Sequence, residues 1–317
     1  MADYRKRDLT TKDDVSLTEL LIDGMATVDA FNDAARPFRE MLATTVSDRV
    51  FTTAAHGDMT WHELAEGEHA RTGDVTNEQV AFSIAKYGRS LGFTQEFIED
   101  NPADEVLKRF RVLVEGALKK EHEVIFGTIQ NGVADGSALW YDVPDYGAYT
   151  FSNTHDHTFA DTNELFGDAN PRSATAHIRE ANKQLRHHGK RPSYALISSE
   201  FAAEFVDELA WDATFHIPDA TSLRSQALPE NRIIIDGVTL MQTPWIADTG
   251  GSYEFYVVSD EKPVAFHEAR PVTLTQGANG GPVGEPGALI GAYGSARYGT
   301  FMADPLAAVK VNADNLA

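Results

Sequence analysis

Cysteine is missing from all 317 residues, which excludes disulfides, zinc–thiolate sites and a cysteine nucleophile. Also missing is any apolar run of about eighteen residues, and the opening MADYRKRDLTTKDD is charged with no apolar stretch behind it. Neither a membrane span nor a signal peptide is expected. Lysine is scarce: ten of the 27 basic residues are Lys, against 48 acidic residues, for a formal charge of -21. Signatures of common enzyme chemistry are lacking as well. The Gly-rich text from 277 to 299 holds no Walker pattern, no strand leads into a G-x-G-x-x-G helix start, and neither G-x-S-x-G nor H-E-x-x-H occurs. No catalytic residue, cofactor or metal is expected.

What is present is acid. Residues 121 to 171 hold nine carboxylates and no Lys or Arg, and residues 200 to 230 hold seven against Arg224 alone. Such surfaces repel themselves in dilute buffer. In molar salt the screening length falls to ~3 Å, and the acidic shell then keeps the protein hydrated. We read this as a protein that works in high salt, with an archaeal halophile as its host. The one compact basic cluster, Arg5-Lys6-Arg7, sits at the extreme terminus, so nucleic-acid binding as a primary activity is not expected.

Periodicity divides the rest. Residues 1 to 45 read as an arm, with an amphipathic segment from Leu17 to Phe31 broken near Arg36-Pro37. From Val46 to Phe93 the pattern is extended: Val50 to Thr53 on one side face the alternation around Val80, Phe82 and Ile84 on the other. The polar stretch between them is far longer than an ordinary turn, so this reads as a long hairpin reaching toward a partner. A helix follows with Pro102 in its first turn, Asp104 and Glu105 facing the dipole, and Val106, Phe110, Leu113 and Ala117 at helical spacing to about Ile129. At ~1.5 Å per residue it is a rod of roughly 40 Å. After an acidic loop region (133 to 170), a helix from about Ala174 to His188 stops at Gly189, and Pro192 precedes a strand from Tyr194 to Ile197. Ser198 or Ser199 then caps a second helix through Leu209. Asp236-Gly237 between Ile233–Ile235 and Val238–Met241 is a strong hairpin signal. Strands at Phe255–Val258 and Val264–His267, a flexible Gly-rich bridge (276 to 287) and a final extended region complete the chain.

The order of arm, long hairpin, spine helix, helix-Gly-x-x-Pro-strand-helix, Asp-Gly hairpin and extended C-terminal segment resembles the major capsid proteins of the Hong Kong 97 type over essentially the whole chain. VAFSIAKYGRSLGFTQEFIEDNP leading into the spine helix, and ARYGTFMADPLAAVKV near the end, are similar to that family too. The resemblance implies an α+β fold: an N-terminal arm (1–45), an extended loop (46–93), a peripheral domain with the spine helix (94–171 and 251–299) and an axial domain (172–250 and 300–317). It further implies self-assembly as pentamers and hexamers into an icosahedral shell around double-stranded viral DNA, which is enclosed without sequence-specific binding. Assembly would take place in the host cytoplasm, and the protein would end in the virion. A portal and decoration proteins would be its other partners. Some members join the loop to a neighbour through a Lys-Asn bond, but here no Lys lies between Lys12 and Lys86. Some carry a cleaved scaffolding segment before the arm. Only about 45 residues precede the loop here, so a separate scaffolding protein is expected.

Met59, Trp61, Leu64 and Phe82 are the apolar anchors expected at intersubunit contacts, with Arg49 and Arg71 as ion-pairing partners for a neighbour's acids. His155-Asp156-His157, with His177, His187 and His188 elsewhere, is the most metal-like cluster, set against a plain solvated loop. Asp142, Asp145, Asp156, Asp161, Glu164 and Asp168 supply oxygen ligands without EF-hand spacing. Two other readings stand beside the capsid: an encapsulin-type nanocompartment shell, and a halophilic metal-assisted hydrolase using the acidic region.

Overall fold

A computed structural model of the chain describes residues 9–52, 79–81, 83–133, 147–150, 157–160, 165–167, 172–204, 234–246, 252–279, 289–314 and 316. Helix α1 (Leu17–Asp33) opens with a capping box: Ser16 Oγ accepts from the Glu19 amide, and the Glu19 carboxylate accepts from the Ser16 amide. Helix α2 (Pro37–Leu42) starts on Pro37, where a missing N–H costs nothing. Strands β1 (Ala43–Thr45), β2 (Val50–Thr52), β3 (Gln79–Ala81) and β4 (Ala85–Phe93) follow, then α3 (Gln95–Asp100) and the 30-residue spine α4 (Ala103–Gly132). Pro102 caps α4 from outside and does not stand in its first turn as expected. Its ψ of 157° is extended, and the Asp13 carboxylate accepts from the first helical amide, that of Ala103, at 3.2 Å. No helix among the described residues is long and apolar enough to cross a membrane.

The second half contributes β5 (Thr158–Ala160), α5 (Ala174–His187), β6 (Pro192–Ile197), β7 (Ile234–Ile235), β8 (Val238–Gln242), β9 (Tyr253–Ser259), β10 (Val264–Asn279), β11 (Leu289–Met302) and β12 (Ala308–Ala313). One sheet runs β1-β10-β11-β4, a second runs β5-β12-β9-β6-β8-β7, and β2-β3 stand apart as a pair. The β7–β8 turn matches the sequence reading: Asp236 (φ 49°) and Gly237 (φ 82°) are both left-handed, as a two-residue turn with the strand twist requires. Ser198 caps the next helical turns by accepting from the Phe201 amide at 3.0 Å, and these are described as far as residue 204.

Three elements differ from expectation. Gln276–Asn279, read as part of a flexible bridge, is strand, because Asn279 pairs with Leu289 at the end of a long β10–β11 ribbon. The ribbon's register shifts lie between Glu268 and Thr273. Pro271, which has no amide to donate, falls inside that irregularity. Ala85–Phe93, included in the extended loop (46–93) by the sequence reading, pairs with β11, while the hairpin read from Val50 and Val80 is β2 against β3 with Phe51 opposite Val80. Tyr253–Ser259, grouped with the peripheral unit in the sequence, is hydrogen-bonded between β12 and β6 in the six-stranded sheet.

The central strands β9 and β12 of that sheet are buried on both faces, and strand alternation assigns their side chains to one of two cores. Phe255, Val257, Val309 and Val311 pack with Ile178, Ala181 and Leu185 of α5. Tyr256, Val258 and Ala308 pack on the other side with Ile125, Phe126 and Ile129 of the spine. A third core joins α1 to the N-terminal half of the spine through Leu20, Leu21, Val106 and Phe110. A Cβ on Gly24 would stand 2.8 Å from the Phe110 ring, so this glycine sets the close approach of the two helices.

Candidate assembly surfaces

The loop base is a two-stranded sheet of three residues a side. Val50 at its edge is 46% exposed and Arg49 is exposed beside it. A lone hairpin of this size is marginal in water. The other residues expected at intersubunit contacts, Met59, Trp61, Leu64, Arg71 and Phe82, lie outside the described residues.

The N-terminal segment is tied to the rest of its own chain. Arg36, just before α2, is buried and ion-paired to Glu121 of the spine, and Arg39 reaches Glu268 of β10 at 2.9 Å. Arg36 also lies over the Phe31 ring and Arg39 over Phe266. Burial holds the Glu121 carboxyl above its usual range, outweighing the attraction of Arg36 and Arg39. Its second oxygen has no hydrogen-bond partner. Burial, reinforced by the Arg36 charge, lowers His122, which meets Phe38 edge-on. Sequence reading missed this node. The available signal was Glu121 itself, a carboxylate at the helical spacing of the buried stripe Val114, Ile125 and Ile129.

In the lobe built on the six-stranded sheet, Lys190 contacts both Glu261 and Asp304. Burial alone would lower its ammonium, but Asp304 and Glu261 prevail and raise it. His157 is buried, donates through Nδ1 to the Ala308 carbonyl at 3.3 Å and stacks on His188 at 4.9 Å. His177 is buried on α5, its Nδ1 at 2.8 Å from the Ser173 carbonyl, and His187 stacks on Tyr149. The His of the metal-like cluster that are described are therefore engaged in packing. His155, Asp156 and the other carboxylates of that acidic region lie outside the described residues, and among the described residues no three side chains form a metal-ligating group.

No curated protein matches this chain. In solved structures it is similar to a protein of Mycobacterium phage Patience, with a TM-score of 0.57 and 12% identity over 98% of this chain and 94% of that one. It is similar to the capsid of the cyanophage P-SCSP1u, with a TM-score of 0.56 and 11% identity over 88% and 87% of the two chains. It also resembles the SrpI encapsulin of Synechococcus elongatus PCC 7942, with a TM-score of 0.52 and 12% identity over 89% and 88%. At these identities the likeness is one of fold. The phage capsid protein family matches residues 77–311, and with that span, most of its length, the chain belongs to this family and carries a Hong Kong 97-like fold.

Proposed function

We propose that this chain, a major capsid protein, assembles as pentamers and hexamers into an icosahedral shell around double-stranded viral DNA, each subunit reaching a neighbour through the extended loop (46–93). The reading rests on the pair β2–β3. It is too short to be stable alone and, among the described residues, leaves Val50 exposed, which contact with another subunit would cover. Residues 1–45 act as the arm, the spine with β4, β10 and β11 as the peripheral unit, and α5 with the six-stranded sheet, β9 included, as the axial unit. A separate scaffolding protein, a portal and decoration proteins complete the proposed partners, with assembly in the host cytoplasm. The fold likeness to an encapsulin favours one alternative, a nanocompartment shell. A neighbouring gene for cargo with a docking tail would speak for it, and neighbouring portal and terminase genes for a virus.

The test is to replace Asp58–Asp74 with a short Gly-Ser turn. The chain is expected to fold, because a polar tip adds little to its own core. Shells should be lost, because aromatic and Arg anchors commonly carry about 2 kcal/mol or more of an interface. Circular dichroism at high salt checks folding and electron microscopy checks assembly; normal particles would overturn the proposal.

A further inference from the structure

The sheet β1-β10-β11-β4 turns one face to the spine, where Tyr87, Ala296 and Tyr298 pack with Ile125, Phe126 and Ile129. Alternation puts Lys86 and Arg297, their neighbours in sequence, on the opposite face, and both are exposed. There Arg270 stands directly across from Arg297, and Arg297 directly across from Lys86. Three cations thus form one rung over three strands, spanning about 10 Å at the ordinary strand spacing. Like charges placed opposite one another destabilise a sheet. Further along the same face Ser295 stands opposite Thr273, and then Ser90, Tyr293 and Thr275 share a row. Each of these side chains carries a hydrogen-bond donor, and none is a carboxylate.

The described residues leave this rung unbalanced. Lys108, Lys120, Lys183, Lys190 and Lys310 each reach a carboxylate, whereas among the described residues Lys86, Arg270 and Arg297 reach none. Arg270 Nη2 donates to Ser295 Oγ at 3.1 Å, and its Nε is buried without an acceptor, although a buried charge ordinarily has one. Strands β4, β10 and β11 contain a single carboxylate, Glu268, and Arg39 holds it beside the spine. In a chain of formal charge -21 these strands are a local reversal of sign. Gly88 keeps the face low: a Cβ there would run into the Tyr293 hydroxyl, and Lys86 Nζ lies 5.5 Å from the centre of the same ring.

We propose that this open sheet face is where the shell touches the DNA it encloses, its cations and hydroxyl donors taking backbone phosphates of the duplex. The proposal rests on the reading that the shell holds double-stranded DNA, and adds the surface that meets it. Phosphate oxygens only accept hydrogen bonds, and Lys, Arg, Ser, Thr and Tyr are side chains that supply such contacts. Three strands abreast are broader than the two-stranded ribbon a major groove admits, so the backbone is in reach and base edges are not. The contact is therefore independent of sequence. A protein partner fits less well: of the exposed large apolar side chains among the described residues only Tyr293 stands here, and a protein interface is built on an apolar core. The acidic remainder of the subunit repels DNA, so the duplex rests at these points on a wall that otherwise holds it off. This turns the open face toward the lumen.

The test titrates the unassembled full chain with a mixed-sequence DNA duplex, starting from the lowest salt at which circular dichroism shows the chain folded. Three phosphate contacts predict that log affinity falls against log salt with a slope of about -2.7. Lys86→Gln with Arg297→Gln, both exposed positions, should fold, weaken binding at least about tenfold and bring the slope to about -0.9. If the pair does not fold, Lys86→Gln alone reads the same effect as a slope smaller by about 0.9. The double variant should still build normal shells. An unchanged slope would overturn the proposal. Folded variant subunits that build no shells would replace it with a contact between subunits, and polyglutamate bound by the parent as tightly as DNA would replace it with an acidic protein partner. In DNA-filled particles Lys86 should resist an amine-acylating reagent that modifies it in emptied ones, and equal reaction in both defeats the lumenal assignment. DNA-filled parent particles, with an unchanged slope in the variant, leave the shell reading intact and remove only this contact. Particles that hold no DNA remove both.

Discussion

Glu121 shows how one buried carboxylate can be structurally useful and energetically expensive. It joins arm, spine and sheet through Arg36 and, with Arg39, faces Glu268, but desolvation raises its proton affinity more than the two guanidinium groups lower it. A carboxyl whose folded pKa lies above its unfolded value of about 4.5 binds protons more readily in the native state. Its contribution to stability is therefore full below the unfolded value and is lost as pH rises through the folded one. His122 has the opposite sign: lowered from 6.5 by burial, its contribution is present above that value and fades as pH falls. Glu121→Gln separates the two. Denaturant titrations in high salt should show the parent gaining stability relative to the variant as pH is lowered from neutrality toward 4.5, and a constant difference would refute the buried-charge account.

At the scale of elements, α1 tests whether the arm is held by its own ends or only by its packing. The capping box satisfies two otherwise orphan amide donors. Ser16→Ala should cost about 1 kcal/mol, read as a lower thermal midpoint with earlier proteolytic cleavage near residue 16, while α4 stays protected. The elements legible in the sequence were those with local causes: the spine from its spaced apolar residues and acidic first turn, α5 from Ser173 and Gly189, and the β7–β8 hairpin from Asp236-Gly237. Those that escaped it depend on distant partners. Glycines at 277, 280 and 281 suggested a bridge because nothing local reveals that Asn279 lies opposite Leu289. Nothing local separates Ala85–Phe93 from the extended loop that precedes it, and its nine paired positions are with β11, about two hundred residues away. Pro102 stands just outside α4 with extended backbone, and Asp13, ninety residues away, accepts from the amide beyond it. Of the proposed contact residues only Arg49 is described, and it is exposed.

For the molecule as a whole, net charge bears on the salt at which subunits associate. Subunits of formal charge -21 repel one another, and lowering salt from molar to ~0.1 M extends screening from ~3 to ~10 Å. Light scattering across a salt series should show particles loosening on dilution; shells that survive without salt or divalent ions would refute the halophilic reading. With no Lys between Lys12 and Lys86, boiling mature particles in detergent should release a single band at the chain mass of 34.8 kDa. A ladder of covalent multimers would show another Lys bonded to a neighbour. The strand order of the larger sheet bears on a different stage of the protein's life. β12, made from residues 308–313, lies between β5 and β9, and Lys310 pairs with Thr158 across half the chain. That sheet cannot close while the ribosome is still translating the message before residue 308. Nascent chains on one polysome, crowded at high local concentration, thus hold an incomplete lobe until synthesis has passed β12. The fold order itself delays shell building until β12 has been made.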